Sequence, residues 1–148
     1  MALSKAEKIK QFGEVFTPGK TVRDMCDMLE AGDPAIFEPG RTFLEPACGE
    51  GAFILEILRR KFERCRRPGD YRVALESVYG FEIQEDNVAV CIRNVIELCY
   101  SYFRPPKKDM QIISDHIIQC DGLKVMKLLG REDGRVNLTI ESQYLTML

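Results

Sequence analysis

The sequence predicts an α/β domain built on a mainly parallel, Rossmann-like sheet with helices on both faces. Strand-like and helix-like stretches alternate through the body of the chain, the pattern of βαβ units joined by right-handed crossovers. Apolar residues switch between short unbroken runs and helical spacing in step with that alternation. Size agrees: 148 residues, 45% hydrophobic and 30% charged, suit one soluble domain with a buried core.

Residues 3–11 read as a short polar helix leading into Phe12-Gly13-Glu14-Val15-Phe16-Thr17-Pro18. Thr21 is placed to cap a second helix that Gly32 ends, with Asp24 in its first turn. Val22, Met25, Cys26 and Leu29 recur on one face of it. A strand follows from Arg41 to Glu45, then a tight turn through Pro46-Ala47-Cys48-Gly49-Glu50-Gly51. Ala52 to Cys65 returns to helical period, with Ile54, Leu55, Leu58 and Phe62 facing inward. Pro68-Gly69 breaks the chain, and Ser77 to Ile83 reads as a second strand. Helix runs from Glu85 to about Phe103, carrying Val88, Cys91, Ile92, Val95 and Cys99 on one face. Arg104 to Lys108 reads as a loop, His116 to Cys120 as a third strand, Leu123 to Leu129 as a short helix and Arg135 to Ile140 as a fourth strand. The expected organisation is an N-terminal helical segment over residues 1–40 and a sheet core over 41–148 that stops after about four strands.

Bulk properties narrow the function classes. A surface that grips nucleic acid broadly is usually basic, whereas the net charge here is -2. No signal-peptide core follows Met1, and no apolar run is long enough to cross a bilayer. Six cysteines at 26, 48, 65, 91, 99 and 120 form no Cys-x-x-Cys pair, so they read as small buried hydrophobes in a reducing cytoplasm.

In an open parallel sheet, ligands bind beyond the carboxyl ends of the strands. Three strand ends carry suitable groups: Glu45 to Gly51, Glu82, and Asp121. Small residues in the turn admit close backbone approach, and the amides opening the next helix suit a carboxylate. Glu82 is placed to accept two ribose hydroxyls, and Asp121 an exocyclic amino group. Together they suit a nucleoside bearing an amino-acid tail. A dinucleotide fingerprint would need glycine where Ile54 stands, and its acid normally comes ~20 residues on. Glu82 stands 31 positions after Gly51, so a nicotinamide-dependent oxidoreductase is the weaker reading. No Gly-Lys-Ser/Thr of a P-loop follows the turn.

Three segments, Phe12 to Pro18, Phe43-Leu44-Glu45-Pro46-Ala47-Cys48-Gly49-Glu50-Gly51-Ala52-Phe53 and Gly80-Phe81-Glu82-Ile83, resemble the N6-adenine DNA methyltransferases of restriction–modification systems. Gln119-Cys120-Asp121-Gly122-Leu123 continues the resemblance in the same order. It implies a class I methyltransferase fold, S-adenosylmethionine as cofactor and DNA as substrate. It further implies that Thr17 and Pro18 lie along the methionine end and that Glu45, Pro46, Ala47, Cys48, Gly49 and Gly51 form the loop beneath the cofactor. Glu82 would hold the ribose and Asp121 the adenine amino group, with Ile83 and Gly122 beside them among the cofactor-binding residues.

The family's catalytic Asn/Asp-Pro-Pro-Tyr/Phe/Trp motif follows its fourth strand and stacks on a target base turned out of the duplex. Here the matching stretch, Thr139-Ile140-Glu141-Ser142-Gln143-Tyr144, holds no proline, and the Pro105-Pro106 pair precedes the third strand. The expectation is a cofactor-binding part without catalytic residues, its DNA held by other sequence. The alternative is an inactive cofactor-binding or subunit-interaction module, pairing with a second polypeptide or a second copy through an open sheet edge.

Other residues have plainer readings. Cys48 at a helix start could be an activated thiol, but is read as a small loop filler. Arg59, Arg60, Lys61, Arg64, Arg66 and Arg67 are read as a solvated face complementing the helix dipole, and His116 as structural.

Overall fold

The structure, a computed structural model, describes residues 4–7 and 17–129. The elements in order are α1 (Gly19–Gly32), β1 (Phe43–Glu45), α2 (Ala52–Glu63), α3 (Gly69–Glu76), β2 (Val78–Glu82), α4 (Glu85–Tyr100), α5 (Lys107–His116), β3 (Ile117–Gln119) and α6 (Gly122–Leu129). The three strands form one parallel sheet in the order β1-β2-β3, with Phe43 opposite Val78, Glu45 opposite Gly80 and Glu82 opposite Gln119. The expected α/β class with a parallel sheet is what the chain adopts. The expected fourth strand, Arg135 to Ile140, and the Thr139 to Tyr144 stretch lie outside the described residues, as does Phe12 to Phe16.

Side chains alternate across the strands, and each face meets helices. Val78 and Ile117 point into a core with Ile54, Leu58, Cys91, Val95 and Ile113, supplied by α2, α4 and α5. Phe81 points the other way and packs with Val125 of α6, Leu44 and Ile118. Gly80, on the first face, is small of necessity: a Cβ there would stand 2.5 Å from Ile54 Cδ1 and 3.0 Å from Cys48 Sγ.

Each crossover between strands contains two helices where one was expected. Pro68 is the N-cap of α3 and Pro106 the N-cap of α5. Proline lacks an amide hydrogen that the first turn of a helix does not need, so it opens a helix as readily as it breaks one. His116 closes α5 and does not begin the strand. It stacks on Tyr79 with ring centroids 4.2 Å apart, and its Nδ1 lies 3.2 Å from the Val78 carbonyl, a structural role; burial pulls its imidazole below the ordinary value.

Helix α1 starts earlier than expected. Its N-cap is Pro18, without a side-chain cap, so Thr21 sits inside the helix. Of the four residues expected on its inner face, Val22 and Cys26 are buried, whereas Met25 and Leu29 remain 47% and 44% exposed. Upstream, Ser4 and Glu7 cap each other: the Glu7 amide donates to Ser4 Oγ at 3.2 Å and the Ser4 amide to Glu7 Oε2 at 2.7 Å.

Of the basic residues expected as a solvated face, Arg66 and Arg67 are exposed, whereas Arg59, Arg60, Lys61 and Arg64 are engaged by the protein. Arg60 donates to Asp27 of α1 at 2.7 Å and to Glu56 at 2.9 Å, and Arg64 donates to Glu30 at 3.1 Å and to the Pro34 carbonyl at 2.7 Å. Arg59 chelates Glu56, holding that carboxyl below the usual carboxylate range. Lys61 is fully buried and donates to the carbonyls of Glu38, Pro39 and Arg41 at 2.9, 3.1 and 2.5 Å. These cations clamp α1 and the irregular 38–41 segment onto the sheet domain.

Candidate functional site at the carboxyl edge of the sheet

The ends of β1 and β2 are tied together by the turn between β1 and α2. The Cys48 amide donates to the Phe81 carbonyl at 2.9 Å, and the Gly49 amide to Glu82 Oε1 at 3.2 Å. Glu45 accepts from the Ala47 amide at 3.1 Å, which curls the turn onto its own start. Gly49 and Gly51 have φ of 57° and 102°, a left-handed backbone that glycine alone adopts freely. At Gly51 the close neighbour is protein: a Cβ would lie 2.8 Å from Cys91 Sγ of α4. The small residues of this turn therefore serve internal packing before they serve any ligand.

Glu82, 6% exposed, carries the most connected carboxylate of the edge. Its Oε2 accepts the Gln84 amide at 2.7 Å and Asn87 Nδ2 at 3.4 Å, while Oε1 has the Gly49 amide. A carboxylate offers about four acceptor positions, so capacity remains after these contacts. Beside it Ile83 is 53% exposed, an apolar side chain left open at a polar edge.

Asp121 stands at the end of β3 as the cap of α6. Its Oδ1 accepts the Lys124 amide at 3.1 Å, and its carbonyl accepts the Val125 amide at 3.0 Å. One oxygen therefore caps the helix, and the other has no protein partner among the described residues. Gly122 then lets α6 run against the turn: a Cβ there would overlap the Pro46 carbonyl oxygen and come within 2.9 Å of Phe81 Cβ. Pro46, Glu82 and Asp121 thus come from three strand ends to one edge.

Helix α2 opens at Gly51 with no side-chain cap, which leaves its first amides and the positive end of its dipole to the same edge. Thr17 and Pro18 precede α1, whose first turn lines a cavity of about 590 Å³ with Ala52, Leu55 and Asn94. No described hydrogen bond joins Thr17 or Pro18 to Glu82 or Asp121.

Cys48 is no activated nucleophile. The Cys91 thiol, burial and the Glu82 and Glu45 carboxylates all push its thiol well above the ordinary value, against any effect of the helix dipole. It fills the turn. Two asparagines escaped the sequence reading: Asn87, fully buried behind Glu82, and Asn94, which donates to the Glu50 carbonyl at 3.1 Å. The signal for Asn87 was its place as the polar member of an apolar stripe with Cys91, Val95 and Cys99. Among the described residues no group of His, Cys, Asp and Glu could hold a metal ion, and no helix is long and apolar enough to cross a membrane.

A parallel sheet flanked by helices, with acidic groups gathered at its carboxyl edge, belongs to the open-sheet class of α/β proteins, in which that edge is where ligands bind. Within that class, residues 2–98 match the family model described as N-6 DNA Methylase, and the chain belongs to that family. It is also similar to the Type II methyltransferase M.VspI of Vibrio sp. (strain 343), 29% identical over 98 residues. That alignment covers 66% of this chain and 20% of the relative, so the chain spans about a fifth of that protein's length. No solved structure matches. The family match contains the turn and Glu82 and ends before Asp121.

Proposed function

We propose that this chain carries the S-adenosylmethionine-binding part of a cytoplasmic DNA adenine-N6 methyltransferase of restriction–modification type. Glu82 carries the proposal: a carboxylate 6% exposed, fixed by two backbone amides and Asn87, yet with an acceptor position to spare at the sheet edge where ligands of such folds bind. When bound, the cofactor supplies an activated methyl group on sulfonium sulfur.

The donor set fits such a ligand. The remaining acceptor position of Glu82 takes a ribose hydroxyl, and the exposed side chain of Ile83 offers the adenine ring an apolar surface. The second oxygen of Asp121, beside Gly122, accepts from the adenine amino group. The uncapped amides of α2 and the turn from Glu45 through Pro46, Ala47, Cys48 and Gly49 to Gly51 face the amino-acid tail, with Thr17 and Pro18 along its methionine end. The N-terminal segment, residues 1–40, would then flank the cofactor held by the core from 41 onward. No residue of the chain is proposed as catalytic, and the target DNA is proposed to be positioned by other sequence.

Calorimetry on the folded chain tests this. S-adenosylmethionine and its demethylated product are expected to bind, and Glu82→Ala to weaken both by roughly 10–100-fold through lost ribose contacts. A folded chain that gives no heat with either, or a Glu82→Ala variant that binds as tightly, overturns the reading. Heat with NAD alone would move it to the oxidoreductase class.

A further inference from the structure

Helices in this fold run antiparallel to the strands, so the C-termini of α2 and α4 lie at the end of the sheet away from Glu82 and Asp121. There, where α2 turns into α3 and α4 into α5, the surface opens into a cavity of about 660 Å³, within the range of small-ligand sites. Four arginines line it, Arg66, Arg67, Arg72 and Arg104, and the stacked rings of Tyr71 and Phe103, 4.5 Å apart, form an apolar wall.

The acids nearby are already committed. Asp109 is buried and accepts from Arg72 Nε at 2.6 Å. The Asp70 carboxylate turns back to the amides of Arg66 and Arg67 at 2.9 and 3.1 Å and closes the loop that leads into α3. Arg66 approaches Glu38 only at 3.6 Å and is 77% exposed. Arg67 and Arg104 are exposed and have no ion-pair partner among the described residues. Exposed Lys107 and Lys108 follow at the start of α5. In a chain of net charge -2 this is a local excess of positive charge, with guanidinium forks left free. It contrasts with Arg59, Arg60 and Arg64 on α2, whose forks are spent on Glu30, Glu56, Asp27 and Glu63.

The geometry points to a phosphate-binding cavity at this pole, with Arg67 and Arg104 gripping phosphate groups of a nucleic-acid backbone or of a free polyphosphate. Guanidinium forks match phosphate oxygens in paired hydrogen bonds, and the Tyr71 and Phe103 wall gives a sugar or base an apolar face to lie against. The site is independent of the cofactor edge and does not rest on what binds there.

The test uses the whole chain with two probes, a short labelled DNA duplex followed by fluorescence anisotropy and inorganic triphosphate followed by calorimetry, across a salt series. Arg67→Gln/Arg104→Gln is expected to weaken binding roughly tenfold and to lower the slope of log affinity against log salt for the duplex by about two. Both positions are exposed, and circular dichroism with a thermal melt confirms that the variant is folded. A charge-matched control, Lys20→Gln/Arg93→Gln, is expected to bind as the unaltered chain does. Duplex binding that shows this loss assigns the site to nucleic acid, and triphosphate binding alone that shows it assigns the site to free polyphosphate. The proposal fails if neither probe binds at low salt, if the variant binds undiminished, or if the control weakens equally. It fails too if polyglutamate binds as tightly as the duplex with the same dependence on Arg67 and Arg104.

Discussion

The carboxyl edge of the sheet and the seam between α1 and α2 both concentrate charged residues, and they use them in opposite ways. At the seam, acceptors answer the cations of α2 and its C-cap: Arg60 lies between Glu56 and Asp27, Arg64 reaches Glu30 and a carbonyl, and Lys61 donates to three carbonyls. At the edge, Glu82 and Asp121 accept just enough N–H donors to be oriented and keep acceptor capacity beyond them. Residue type alone does not mark a site. A charge-rich stretch whose hydrogen-bonding capacity is used up holds the fold together; one oriented with capacity to spare can still accept a further donor. Predictions follow that break or sharpen this contrast.

The largest effect is expected at the edge. Gly122→Ala places a methyl group on the Pro46 carbonyl oxygen and against Phe81 Cβ, between backbone on one side and the root of a buried side chain on the other. Neither neighbour yields cheaply, so α6 must move off the turn at a cost of about 3 kcal/mol, read as a lowered urea midpoint. If stability holds and S-adenosylmethionine binding alone is lost, this glycine is there for the ligand and the packing account of the edge is wrong.

A smaller loss is expected at the seam. Lys61→Met keeps the side chain's bulk but leaves the carbonyls of Glu38, Pro39 and Arg41 without their donor, costing about 2 kcal/mol. Burial, with Arg41 adding to it, pulls the Lys61 ammonium down to about 8 from its ordinary 10.5. The folded chain therefore binds fewer protons than the unfolded chain between those values, and the contribution of Lys61 to stability rises with pH through that window. Urea midpoints of the unaltered chain and of Lys61→Met at pH 7.5 and pH 10 are expected to diverge as pH rises. Parallel behaviour would show that Lys61 is not buried as a cation.

How much of this was legible in sequence depends on how far apart the interacting residues lie. The turn from Glu45 to Gly51 and the ends of β2 and β3 could be read because each is a local string at a strand end. Helices α3 and α5 were missed because their opening prolines look like breaks, and because α5 buries little beyond Asp109 and Ile113. Met25 and Leu29 were assigned inward because spacing identifies a helix face and says nothing of what covers it. Lys61 was hidden for the opposite reason: its carbonyl partners sit 20 to 23 residues upstream in an irregular segment with no pattern of its own. Asn87 meets Glu82 only because β2 turns into α4 within three residues.

The smallest effect is expected where charge is present but nothing is buried around it. Lys20 and Asp24 meet at 2.8 Å with side chains 82% and 56% exposed. Water screens the pair, and ordering two exposed side chains offsets most of its attraction. Lys20 also lies in the first turn of α1, near the positive end of the helix dipole, where a cation is disfavoured. The two terms oppose each other, so Lys20→Ala is expected to shift Tm by less than about 1 °C. Added salt should not enlarge the difference. A drop comparable to that of Lys61→Met would mean that exposed ion pairs also hold α1 in place, and the distinction drawn from saturation and burial would have to give way to one based on charge count alone.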